Sequence, residues 1–114
     1  MIMNPLHNQK VLPSMLKVLV LAAASLMACN SFANEALARK SDCLGCHAVA
    51  VKLVGPAFKD VAAKYEGQSD AVERLTESIR NGSVGKWGDM PMPAHLKLSA
   101  ADTKKLAEWV LKAK

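Results

Sequence analysis

Residues 43–47 read Cys43-Leu44-Gly45-Cys46-His47. Two thiols stand two residues apart, with an imidazole directly after the second. Such a pair is a redox disulfide, part of a zinc site, or the attachment point of a c-type haem. The remainder of the chain has to choose among them.

A structural zinc site takes four ligands, usually from two Cys/His pairs. Downstream of residue 33 the chain offers only Cys43, Cys46, His47 and His95, and the adjacent Cys46 and His47 have little freedom to share one ion. A disulfide oxidoreductase places its CxxC at the head of a helix within a βαβ unit, and no strand pattern exists here to build one. A plain structural disulfide leaves His47 unexplained. Haem attachment explains all three residues. Each thiol adds across a porphyrin vinyl group, and the following histidine is carried to the iron. Leu44 and Gly45 are then spacers.

Upstream of the motif the chain reads as a leader. Lys10 and Lys17 precede an apolar run at residues 18–28, and small residues follow at Ser31 to Ala33. That is the layout of a secretory signal peptide cleaved after Ala33. The run falls well short of the roughly 20 apolar residues that a spanning helix needs. An alternative reading takes Leu26-Met27-Ala28-Cys29 as a lipoprotein signal, with Cys29 lipidated and anchoring the product. Without that lipid no stable membrane insertion is expected.

Cleavage after Ala33 leaves residues 34–114 as one domain, exported to the periplasm. All ten acidic residues remain, with 13 of the 15 basic ones, since only Lys10 and Lys17 leave with the leader. The mild positive charge carries no block of like sign, so nucleic acid is not an expected partner. A domain this short rarely stabilises itself by a side-chain core alone. Its aromatic residues are Phe58, Tyr65, Trp87 and Trp109, too few to fill a centre.

The spacing predicts an all-α chain of three to five helices. Asn34 caps a first helix over 35–42. A short helix follows over 57–65, after the Gly55-Pro56 breaker. Asp70 and Glu73 make a capping pattern ahead of Val72, Leu75 and Ile79 at helical spacing, ended by Asn81-Gly82. Residues 82–98 are rich in Gly, Pro and apolar groups, and read as a long packed loop without regular structure. The last helix starts at Ser99 with Asp102 as its box partner, and buries Leu106, Trp109, Val110 and Ala113. Haem iron in this setting takes a sixth ligand. The only methionines beyond the leader, Met90 and Met92, sit in that loop. A thioether paired with histidine raises the reduction potential, and the flanking prolines hold the loop in shape.

In sequence, CLGCH, VGPAFKDVAAKY, IRNGSVGKWGDMPMP and LAEWVLK resemble the small bacterial class I cytochromes c of the c-551/c-552 type, over nearly all of residues 36–114. The resemblance implies a single domain of helices wrapped around one covalent haem c, with a long Met-bearing loop. It implies thioethers at Cys43 and Cys46, and His47 as the proximal ligand with its Nδ1–H held by the Pro56 carbonyl. It also implies Met92 as the distal ligand, Met90 as an apolar neighbour, and Trp87 as a donor to a haem propionate. Trp109 would pack the last helix on the first. The activity implied is one-electron transfer by a monomeric carrier, not an enzyme, serving respiratory or denitrification donors and acceptors such as terminal oxidases or nitrite reductase. Three positions depart from the family pattern. Leu37 and Ala38 stand where relatives often carry an aromatic residue in the first helix. Ser78 stands where some carry a basic residue near a propionate, with Arg80 as a candidate to replace it. His95 stands where relatives can carry an asparagine near the ligand sulfur. His95 also keeps open two other readings: a bis-histidine haem, and a ligand-binding sensor or enzyme with a weak or open sixth position.

Overall fold

The computed structural model describes Phe32 and residues 34–114, which, Phe32 apart, belong to the compact unit Ala33–Lys114. The expected signal cleavage after Ala33 and the alternative lipidation at Cys29 lie outside the described residues. Residues 34–40 are helical (α1), followed by a 3-10 turn at Cys43–Gly45 and by α2 (Phe58–Tyr65), α3 (Ala71–Asn81) and α4 (Ala100–Val110). Among the described residues there is no strand and one isolated antiparallel bridge, between Ser83 and Met92. No helix of these residues is long and apolar enough to cross a membrane.

Helix α1 stops two residues before the expected end. Asp42 adopts a left-handed conformation with φ 61°, which an α-helix cannot contain and which Asp tolerates better than most residues. This kink starts the 3-10 turn that carries the thiols. Ala38 is fully buried and Leu37 packs beside it on the core, so small aliphatic groups fill the place where an aromatic residue was absent.

Each remaining helix buries one stripe. In α2 the stripe is Phe58, Val61 and Tyr65, and in α3 it is Ala71, Leu75, Ser78 and Ile79. Val72, expected inside, is only partly buried. The Asp70–Glu73 box does not form either. Asp70 has φ −98° and ψ 12° and makes no side-chain cap bond; a box needs an extended N-cap residue. The chain instead enters α3 through a turn, with the Ala71 amide donating to the Gln68 carbonyl at 3.3 Å.

Helix α4 starts as expected. The Ser99 hydroxyl accepts from the Asp102 amide at 3.1 Å, satisfying one of the free amides of the first turn. Its buried stripe is Thr103, Leu106, Ala107 and Val110. Trp109 and Ala113 pack on it only partly buried. Thr103 is tolerated inside because its hydroxyl donates to the Ser99 carbonyl at 2.8 Å. Helix α4 packs on α3 and, less extensively, on α2. Trp109 stands edge-on to Phe58 of α2, with ring centroids 5.3 Å apart.

Candidate functional site

One cleft brings the chemistry together. Cys43, Cys46, His47, Met90, Met92 and Trp87 all line it, with apolar walls from α2, α3 and α4. Its empty space, counted out to solvent, is about 1020 Å³. Core residues Leu75, Ile79, Leu106 and Val110 are part of that wall. The cleft is therefore cut into one side of the core, whose buried residues form its floor.

The thiols reach it because of the 3-10 turn. With three residues per turn, positions i and i+3 lie one above the other, so Cys43 and Cys46 share a side. The Cys46 and His47 amides both donate to the Cys43 carbonyl, at 3.2 and 2.9 Å, which fixes the imidazole relative to the sulfurs. Burial pushes the Cys43 thiol up; a backbone hydrogen bond opposes the rise and the Asp42 carboxylate adds to it. A reactive CxxC needs the opposite, a lowered thiol. Among the described residues no three of His, Cys, Asp or Glu converge as a metal cluster, and His95 is not part of the cleft wall.

His47 is held on three sides. Its Nδ1 lies 2.8 Å from the Pro56 carbonyl oxygen. A carbonyl only accepts, so Nδ1 carries a proton and Nε2 is the ring nitrogen left to meet a metal. Phe58 stacks on the ring with centroids 5.0 Å apart and planes 19° apart. Gly55 approaches so closely that a Cβ there would stand 2.7 Å from Nδ1 and 2.9 Å from Nε2. The Gly55 amide donates to the Cys46 carbonyl at 2.7 Å, which ties this loop back to the thiol turn. The loop also caps α2: the Phe58 and Lys59 amides donate to the carbonyls of Ala48 and Val49, at 2.9 and 3.0 Å.

The two methionines differ. Met92 is partly buried against the core, whereas Met90 is 66% exposed. Met92 is also fixed through its backbone. Its amide donates to the Ser83 carbonyl at 2.8 Å and its carbonyl accepts from the Ser83 amide at 3.1 Å. Gly82 makes that bridge possible: it has φ 77°, and a Cβ there would lie 2.6 Å from the Met92 carbonyl oxygen. Trp87 lies on the cleft wall, with the Lys64 ammonium 4.4 Å above its ring.

Cys43, Cys46, His47, Pro56, Trp87 and Met92, the six residues expected from the sequence, all lie on one cleft wall. Not among those expected were Gly55 and Gly82 as positioning residues, and Ser83 as the backbone partner of Met92. The glycines were visible only as helix breakers, and a backbone-to-backbone bridge leaves no side-chain signal.

The family model for cytochrome c matches residues 34–114. The chain belongs to the cytochrome c family. Cytochrome c-552 of Nitrosomonas europaea is 47% identical over 93 residues, covering 82% of this chain and 90% of that protein. Cytochrome c-551 of Pseudomonas aeruginosa is 44% identical over 97 residues, covering 83% of this chain and 92% of that protein. The crystal structure of wild-type Nitrosomonas europaea cytochrome c552 superimposes with a TM-score of 0.68 at 49% identity, covering 70% of this chain and 99% of that one. This cytochrome is thus of the c-551/c-552 type, a small electron carrier with covalently bound haem c.

The residues of this cytochrome fit that group. An apolar hollow opens where a short chain has too few side chains to close its centre. Two thiols on one side of a turn, an imidazole held through Nδ1 and a thioether reach the same wall. Sulfur and imidazole are the donor types that haem iron takes.

Proposed function

We propose that this cytochrome is a monomeric periplasmic one-electron carrier whose leader, residues 1–33, is removed on export. Cys43 and Cys46 would hold the haem as thioethers, and His47 and Met92 would be the ligands of its iron. Bound haem supplies an iron that gains and loses one electron. The rest is the work of the chain. Pro56 orients His47 and makes the imidazole more basic through Nδ1, the usual role of a hydrogen bond behind a ligand. Ser83 fixes Met92. Trp87 contributes its indole N–H at the cleft wall. The apolar walls exclude water and lower the local dielectric.

The observation that carries this reading is that both axial candidates are anchored by backbone. His47 is bonded to Pro56 and Met92 is paired with Ser83. With both residues on the iron no position would be open for a substrate, and the remaining chemistry would be electron transfer. Exposed Val49, Val51, Leu53, Val54, Val84 and Met90, with the lysine excess, suit brief docking on redox protein partners that carry acidic faces. Terminal oxidases or a nitrite reductase are the partners proposed.

Carbon monoxide separates this reading from an open-site sensor or enzyme. The reduced holoprotein at neutral pH is expected to keep a low-spin six-coordinate spectrum and to bind no carbon monoxide on mixing. Rapid binding would assign the sixth position to an outside ligand.

A further inference from the structure

The cleft wall is mostly apolar, and among the residues lining it Lys86 alone brings a full charge. That ammonium is not loose. It donates to the Ser78 hydroxyl at 2.8 Å. Ser78 is 7% exposed, and its own proton goes to the Arg74 carbonyl at 3.1 Å. One hydroxyl proton committed to α3 leaves the oxygen lone pairs as the acceptor that orients Lys86. The Lys86 backbone is pinned as well, its carbonyl accepting from the Lys64 ammonium at 2.9 Å. The ion pairs of the described residues are Arg39–Glu35, Lys104–Glu108 and Lys105–Asp102, and Lys86 is in none of them.

An ammonium has three donors, of which Ser78 takes one. Lys86 is exposed as a residue, so water can reach its ammonium, and the two remaining donors are free to meet an anion at the cleft. Haem carries two carboxylate side chains, and no other full charge lines the cleft. Arg80, the candidate from sequence, does not line the cleft.

We infer that Lys86, oriented by Ser78, is the cation that pairs with a haem carboxylate, and that this pair raises the reduction potential of the iron. The inference rests on the haem reading above. Its physical basis is that ferric iron carries one more positive charge than ferrous iron. A fixed cation nearby, or a carboxylate neutralised by one, therefore disfavours the oxidised form. Lys86 comes from the loop and Ser78 from α3, so the charge reaches the cleft from a different element than a basic residue at position 78 would bring it. Ser78 is a positioning residue, since it acts through Lys86.

Potentiometric titration of the holoprotein and three variants at the cleft tests this, with Lys104→Gln on the exposed face of α4 as the control for a lost surface charge. Lys86→Gln is expected to lower the midpoint clearly more than Lys104→Gln. Lys86→Arg is expected to stay near the unsubstituted value, and Ser78→Ala to fall between. A Lys86→Gln midpoint equal to that of Lys104→Gln, with covalent pigment and methionine ligation intact, would overturn the inference. Loss of covalent pigment in the unsubstituted protein would instead overturn the haem reading itself. Should Lys86→Gln fail to fold, acetylation of the unsubstituted holoprotein decides the matter by peptide mass spectrometry. Lys86 is expected to label more slowly than Lys104, and equal labelling contradicts the pairing.

Discussion

Replacing Gly55 by alanine is expected to dislodge His47 and to destabilise the holoprotein by about 1–3 kcal/mol, the usual cost of forcing an extra methyl into a filled space. The new Cβ would collide with Cε1 and stand 2.7 Å from Nδ1 and 2.9 Å from Nε2. The ring has no easy retreat. Phe58 stacks on it at 5.0 Å, and Phe58 is itself buried with Trp109 against its edge. Either the imidazole leaves the Pro56 carbonyl, or the loop opens and gives up the bond from the Gly55 amide to the Cys46 carbonyl. Both outcomes loosen the ligand that the thiol turn presents. Guanidinium unfolding should show an earlier midpoint, and the optical spectrum of the folded fraction should show a disturbed axial ligand. An alanine variant with unchanged stability and spectrum would mean that the ring sits elsewhere in the holoprotein.

Met92→Ala is expected to remove the far-red charge-transfer band that marks methionine on ferric haem, whereas Met90→Ala keeps it. Both thioethers line the cleft, so proximity alone does not choose between them. Anchoring does. Met92 is paired with Ser83 by two backbone hydrogen bonds and is partly buried, while Met90 is 66% exposed. Loss of Met92 also removes a soft sulfur donor that favours Fe(II), so the reduction potential should fall. The empty volume adds a stability loss of roughly 2 kcal/mol, the low end for truncating a methionine because the side chain is only partly buried. Band loss in Met90→Ala with retention in Met92→Ala would reverse the assignment.

Much of this was legible in the sequence for physical reasons. Helix spacing, the Ser99 cap and the CLGCH turn are local, and local chemistry survives folding. The thiols and the imidazole need only one 3-10 turn to share a side. What escaped was tertiary. Gly55 reads as a breaker beside Pro56, and its second duty appears only when the loop folds back over His47. Gly82 ends α3 as expected, yet its missing Cβ matters because Met92 returns ten residues later. The Asp70–Glu73 pattern promised a box that the entering turn does not allow. Arg80 was the natural substitute for a basic residue at 78 by proximity in sequence. Helix geometry turns it outward, and Lys86 reaches Ser78 from the loop instead.

In the holoprotein proposed here, sulfur of this chain is bonded to porphyrin carbon, a bond that unfolding does not undo. Extraction of the purified exported protein with acidified acetone, followed by mass spectrometry of the precipitate, tests that bond most directly. The expected result is a coloured precipitate, a colourless solvent, and one haem added to the mass of the polypeptide at the peptide bearing Cys43 and Cys46. Pigment in the solvent, or a peptide with both thiols free, would contradict it.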